Sequence, residues 1–292
     1  MTERIRHTAF DMHHPAVPAA YLLITLCLTM FSMQPVLIGI SLVAALVFGC
    51  LDRGARGTLR SLRWQLPLIA LIAIANPLFS ASGSTELMRI GLRAVYLESV
   101  WYGCAMGALF VASMLWFSAA ASLLPFDKVM ALFGNAAPTL ALMVSMCMRL
   151  IPRFIRQGRL VSAVQGAMEP GTFGARAAAD AVRLRLRLST VLMGWGMEDS
   201  LQTADAMRAR GWGAAGRRST YTRYRFTAAD AAALVALALA GSFVAALAVA
   251  ATSQFSFYPT TSRLVVWWGY LPYALWMFVP TALHLREARR LR

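Results

Sequence analysis

No Asp, Glu, Lys or Arg occurs between Asp11 and Asp52. A run of that length without charge is long enough for two membrane spans. In hydrocarbon every backbone N–H and C=O needs an internal partner, so each span has to be a helix. Ser32 to Pro35, with Gln34 inside it, supplies a tight turn at the membrane surface and divides the run. Charge then arrives as a block, with Asp52, Arg53, Arg56, Arg60 and Arg63. A third, shorter span is predicted over Leu66–Ser80, with Asn76-Pro77 near its end. A sparsely charged loop over Ala81–Leu97 leads to a fourth span, Ser99–Leu124. Two more follow, over Ala228–Ala251 and Leu264–Leu283. The chain is 59% hydrophobic and 14% charged, too apolar for a soluble domain. The fold class predicted is an all-α polytopic membrane protein with about six transmembrane helices.

Charge sets the topology. The net charge is +15, from 27 arginines, the single Lys128 and 13 acids. A chain this basic can bind nucleic acid, but its cations lie between membrane-length apolar runs, which is the pattern of the positive-inside rule. The uncharged run Val129–Met148 is the test. If it crossed, Arg149–Arg225, with 14 arginines and five acids, would face away from the Arg53–Arg63 block. If it stays on one side, 25 of the 28 Lys and Arg share that side, leaving only Arg89, Arg93 and Arg263 outside. Val129–Met148 is therefore placed in or along the cytoplasmic interface, and Gly134, Asn135 and Pro138 interrupt it. Both termini fall in the cytoplasm. Three regions result: membrane helices over 1–124, a cytoplasmic helical region over 125–226, and membrane helices with a basic tail over 227–292.

Within the cytoplasmic region, Pro125 and Asp127 open a short amphipathic helix toward Phe133. Two long amphipathic helices follow. The first covers Pro138–Met168, runs through Pro152, and is stopped by Pro170-Gly171. The second covers Arg176–Arg210, with Leu184, Leu188, Val191 and Trp195 at helical spacing. Gly211 suits the left-handed residue that closes a helix, and Arg208 and Arg210 complement the negative end of the helix dipole. Gly213–Arg225 is a basic connector. Trp267, Trp268, Tyr270 and Trp276 read as interface anchors of the last span. Cys27, Cys50, Cys104 and Cys147 lie in apolar runs and read as small buried hydrophobes. The first residues, with His7, His13 and His14, read as a solvated tail without a signal-cleavage pattern.

Several chemistries lack their residues. The sequence has no glycine-rich phosphate loop, no His-Glu-x-x-His and no serine elbow in a glycine frame. Asp199 and Asp205 fit no two-metal spacing and read as a solvated helix face. The predicted spans carry acids and bases only near their ends, which disfavours a proton-coupled carrier or pump. No cofactor is expected.

Against this background the chain resembles the transmembrane T component of energy-coupling factor (ECF) transporters, the CbiQ-like family. The resemblance covers most of the chain. Ala206-Met207-Arg208-Ala209-Arg210-Gly211-Trp212 resembles the family's second coupling motif, an Ala-Met-x-Ala-Arg-Gly-aromatic run. Arg217, Arg218 and Thr220 resemble the basic segment after it, and Asp230 the acid that opens the next span. Arg149 and Pro152 resemble the Arg-x-x-Pro of the first coupling helix. Leu97-Glu98-Ser99-Val100-Trp101-Tyr102-Gly103 resembles the family's Leu-Glu-Gly-x-x-Tyr-Gly stretch. The first coupling motif departs from the pattern: where the family has Gln-x-Ala-Arg-Gly, this chain has Gln165, Gly166, Ala167, Met168 and Glu169.

The resemblance implies a complex in a bacterial or archaeal plasma membrane. Two ABC ATPase subunits dock on the ends of the two long helices. A separate membrane protein, the S component, binds a vitamin or a transition-metal ion. The chain itself is not an enzyme, and nucleic acid is not among its partners. The docking residues implied are Ala209, Arg210 and Gly211 with Arg208 at one end, and Gln165, Ala167 and Met168 at the other. The Met168 departure leaves two readings: unequal docking sites, suited to two kinds of ATPase or a fused pair, or a Met168 that packs at a weak site. The apolar faces of the long helices, with Met143, Met146 and Met148, suit either the S component or packing on the spans. Two other readings use the same residues: a basic anchor binding anionic lipid, and a lipid-modifying membrane enzyme.

Overall fold

A computed structural model describes residues 14–79, 85–90, 93–133, 137–168, 176–213, 226–257 and 267–290. Among them the helices are α1 (Ala16–Phe31), α2 (Pro35–Arg53), α3 (Ala55–Phe79), α4 (Leu97–Leu123), α5 (Phe126–Phe133), α6 (Pro138–Met168), α7 (Arg176–Ala209), α8 (Ala228–Ser253) and α9 (Tyr270–Arg290). Two short strands, β1 (Glu86–Ile90) and β2 (Arg93–Tyr96), precede α4. The chain forms two compact units, one of residues 1–131 with 224–292, the other Leu132–Arg223. The tail histidines His7 and His13, Pro170-Gly171, Glu169, Arg217, Arg218, Thr220, Arg223 and Arg263 lie outside the described residues.

In the first unit, α2, α4 and α8 are long and apolar enough to cross a membrane. α1 is apolar but shorter, at 16 residues. The break between α1 and α2 falls at Ser32–Gln34, with Pro35 in the first turn of α2, where its missing N–H costs nothing. The predicted third span is the apolar end of α3, whose first turns carry Arg56, Arg60 and Arg63. These helices are apolar on their outward faces too: Leu23, Phe31, Val43, Phe117, Leu239 and Val249 are all exposed. A helix that is hydrophobic all round suits a hydrocarbon surround. The four cysteines are exposed, which corrects their reading as buried. When lipid and core are both apolar, a small apolar residue is no guide to which face points inward.

The core of this unit gathers Tyr21, Leu22, Leu37, Phe48, Trp116 and Met277 from four helices. Polar bonds run through it. Tyr21 Oη donates to the Trp276 carbonyl at 2.8 Å, and Trp276 Nε1 donates to Thr25 Oγ1 at 3.0 Å. Thr29 and Ser41 share a hydrogen bond at 3.0 Å, and Trp116 Nε1 donates to Ser41 Oγ at 3.1 Å. α1 is thereby joined to α9 and α2, and α2 to α4. Trp276 is thus a core residue, 6% exposed, and not an interface anchor; its indole N–H finds an acceptor inside the bundle. Trp268 does lie at the surface, and Gln34 Nε2 donates to the Tyr270 hydroxyl.

Two glycines let α3 approach α4. A Cβ on Gly103 would sit 3.0 Å from the Ala73 carbonyl oxygen, and one on Gly107 2.9 Å from Ile69 Cγ2. Their four-residue spacing is the small-residue contact of membrane helices. Ahead of α4, β1 and β2 pair antiparallel with Met88 opposite Val95 and Ile90 opposite Arg93. This hairpin corrects the loop expected over Ala81–Leu97; it is a small addition to an otherwise α-helical architecture. The buried Glu98 carboxylate accepts from the Thr85 hydroxyl at 2.7 Å and ties the hairpin's start to the first turn of α4. At the other end of α4, Lys128 Nζ donates to the Leu123 carbonyl at 3.2 Å, a cation on a helix C-terminus. α8 opens with a reciprocal capping box between Thr227 and Asp230. Asp230 Oδ1 also accepts from the His14 N–H at 3.2 Å, joining the starts of α1 and α8.

In the second unit, Phe154 of α6 meets Trp195 of α7 edge to face at 5.2 Å. Gly196 makes room, since a Cβ there would lie 2.4 Å from Phe154 Cζ. Gly158 faces Leu192, and Arg153 pairs with Asp199 at 3.4 Å. Asp199 is therefore an interhelical partner, which corrects its reading as part of a solvated face; Asp205 remains exposed. The seam uses Leu192, Trp195, Gly196 and Asp199, so Val191 is turned outward and is 46% exposed.

Candidate functional site

The end of α7 is built from its backbone upward. Gly211 has φ 79°, the left-handed conformation that a side chain disfavours. The Gly211 N–H donates to the Arg208 carbonyl at 2.9 Å, and the Trp212 N–H reaches back to Met207 at 3.0 Å. This pair of bonds is the Schellman closure, which satisfies carbonyls that the helix leaves open. Ala209 is the last residue of α7, and Arg208, Ala209, Arg210 and Gly211 are all exposed. Arg208 has a loose contact with Asp205 at 3.9 Å, both side chains about four-fifths exposed; such a pair adds little. The tip thus presents two guanidinium groups at the negative pole of a helix, with a small residue between them. Guanidinium groups so exposed have the geometry for bidentate, charge-assisted hydrogen bonds to carboxylates or phosphates.

The end of α6 is different. Met168 is its last residue, Ala167 is exposed, and Gln165 is half-buried. Gln165 Oε1 is buried with no hydrogen-bond partner among the described residues. The last turn of α6 carries no basic residue.

The Phe154–Trp195 contact relates the two ends. Along the seam α6 numbers fall as α7 numbers rise: Gly158 with Leu192, Phe154 with Trp195, Arg153 with Asp199. The helices therefore pass each other in opposite senses, and their C-terminal ends lie on opposite sides of the contact. Phe154 precedes Met168, and Trp195 precedes Ala209, by the same fourteen residues. Each arm is about 21 Å long at 1.5 Å per residue. Beside the contact lies a hollow of about 440 Å³ lined by Phe154, Leu192, Met193, Gly196 and Met197. Met193 and Met197 are 68% and 65% exposed. Met143 and Met148 are also exposed, so they do not pack on other described residues as core side chains do.

The helix-end residues were legible from Gly211 and its arginines. The seam was missed, although Gly194-Trp195-Gly196, two glycines flanking an aromatic inside a helix, is a signal for close packing. Among the described residues no cluster of three or more His, Cys, Asp or Glu is placed to hold a metal. No family model matches the chain, and no curated protein matches it.

Proposed function

We propose that the chain is the transmembrane coupling subunit of an ECF-type importer. It passes the motion of two ABC ATPases to a substrate-binding S component that takes up a vitamin or a transition-metal ion. The observation that carries this reading is the end of α7, where a Schellman turn at Gly211 closes the helix behind the exposed Arg208 and Arg210. Arg210 enters an acidic groove of one ATPase, and Ala209 and Gly211 allow close approach. The second ATPase meets the other arm at Gln165, Ala167 and Met168 without an arginine, so the two docking sites are unequal. A push on either tip is carried by a rigid helix to the Phe154–Trp195 contact. The apolar hollow beside that contact, with its adaptable methionines, suits the S component. ATP hydrolysis belongs to the partners. The topology proposed has about six spans in the plasma membrane, with both termini cytoplasmic.

The test is co-purification of tagged chain with the neighbouring ABC ATPases. Wild type retains them, Arg210→Glu loses at least one, and Arg223→Glu is mild. If wild type binds no ATPase, the coupling reading fails. If Arg210→Glu binds as wild type does, the assignment of Arg210 fails.

A further inference from the structure

The first half of α6 carries an apolar and a basic stripe that lie outside the ATPase-docking ends of α6 and α7. Leu140, Met143, Val144, Cys147, Met148 and Ile151 fall on one face by the 3.6-residue period, and all six are exposed. Among the described residues, α7 meets α6 at Arg153, Phe154 and Gly158. Arg149, Arg153 and Arg156, at i, i+4 and i+7, form a basic stripe on the other side that begins where the apolar stripe ends, and Arg159 follows toward its edge. Arg153 is held by Asp199, while Arg149, Arg156 and Arg159 are exposed. No acid occurs in α6. In the chain, α6 follows the apolar helix α4 with only α5 and a short link between them.

From this juxtaposition we infer that the Pro138–Arg159 part of α6 docks on the surface of an anionic lipid bilayer, independently of the ATPase contacts. An uncharged segment with exposed apolar side chains, continued by turn-spaced arginines and no acid, suits a helix lying in the membrane interface. The apolar residues enter the acyl boundary, and the arginines stay at headgroup level, within a Debye length of about 8 Å of the anionic charge. A nucleic acid offers the same charge but no place for Leu140, Val144 and Ile151. A zwitterionic surface takes the apolar face but leaves three arginines without a counter-charge.

Cys147 lies in the apolar stripe and reports on it. The full chain, with Cys27→Ala, Cys50→Ala and Cys104→Ala, is reconstituted in nanodiscs of phosphatidylcholine with or without phosphatidylglycerol. The rate of Cys147 labelling by a water-soluble maleimide is then measured. Labelling is expected to slow in anionic discs, with about fivefold of that protection lost for each arginine removed. High salt, or the double variant Arg156→Gln/Arg159→Gln, restores the rate, and Arg→Lys at the same two positions keeps the protection. ATPase co-purification by the double variant stays at the wild-type level, which separates this proposal from the coupling reading and shows that the variant folds. Equal labelling in both disc types overturns the proposal. So does protection that persists in detergent, which would mean that protein covers the face, or protection by added heparin in neutral discs, which would mean that charge alone is read.

Discussion

Phe154 and Trp195 touch at the one place from which both C-terminal arms of the second unit are equally long, about 21 Å each. In the coupling role proposed above, this contact and its neighbours along the seam would carry motion from one helix to the other. Gly196 is what permits it. Gly196→Leu is expected to force the Phe154 ring aside, because even a Cβ would stand 2.4 Å from its Cζ. Transport in the reconstituted complex is expected to fall about tenfold or more while ATPase co-purification persists. Equal loss of both would show that the contact only maintains the fold. Phe154→Ala opens the same contact without a clash. Since the ring is half-buried, its cost in stability is expected below the roughly 3–5 kcal/mol of a core Phe→Ala change.

A tip can transmit a push only if its last turn is closed. Gly211→Ala places a Cβ at φ 79°, at a cost of about 1–2 kcal/mol. The last turn is expected to fray. Hydrogen exchange of the Gly211 and Trp212 amides, bonded to Arg208 and Met207, rises by about five- to thirtyfold. Gly211→Asn is expected to be milder, since Asn tolerates the left-handed region. ATPase retention weakens less in Gly211→Ala than in Arg210→Glu, because the cation remains. Unchanged exchange in Gly211→Ala would show that the cap does not hold the tip.

What was legible in the sequence follows from punctuation. Ser32–Pro35 interrupts an apolar run, Pro138 opens α6, and Gly211 closes α7; each is a local backbone constraint, and each boundary appears within a residue or two of its expected place. Facing was not legible. Trp276 and Cys27 both lie in apolar helices, one in the core and one outside. In an apolar helix surrounded by apolar matter, the pattern carries no inward direction. The hairpin before α4 was missed because Glu86–Tyr96 has no helix punctuation, and its four-to-five-residue alternation is short. The pairing of Asp199 with Arg153 depends on two helices meeting 46 positions apart, which no local signal encodes.

Gly103 and Gly107 occupy the same face of α4 but face different atoms of α3. Gly103 meets a backbone oxygen, at Ala73, and Gly107 meets the Cγ2 methyl of Ile69, which sits directly on its Cβ. Neither neighbour gives way easily: a backbone atom moves only with its helix, and a β-branched side chain in a helix is held to one χ1 rotamer. Gly103→Ala and Gly107→Ala are therefore each expected to destabilise by about 1–3 kcal/mol. Thermal unfolding of the purified chain in detergent checks both. No loss in either variant would show that α3 and α4 shift apart at no cost.

Ser41 serves two helices at once, accepting from Trp116 Nε1 of α4 and sharing a hydrogen bond with Thr29 of α1. Thr25 serves one across helices, accepting from Trp276 Nε1 of α9. Interhelical hydrogen bonds inside a membrane bundle average about 0.6 kcal/mol and reach about 1.7. Thr29 keeps a second acceptor, the Thr25 carbonyl, when Ser41 is lost, whereas the Trp116 indole N–H loses its acceptor. Ser41→Ala is thus expected to cost about twice as much as Thr25→Val, which preserves shape and removes one acceptor. Unfolding of each variant in detergent measures the two losses. The double variant Ser41→Ala/Thr25→Val tests whether they act as one network. A cost larger or smaller than the sum by about 0.5 kcal/mol or more would show that the bonds reinforce or substitute for one another. Simple additivity would mean that α1 is held to α9 and to α2 by two separate fastenings.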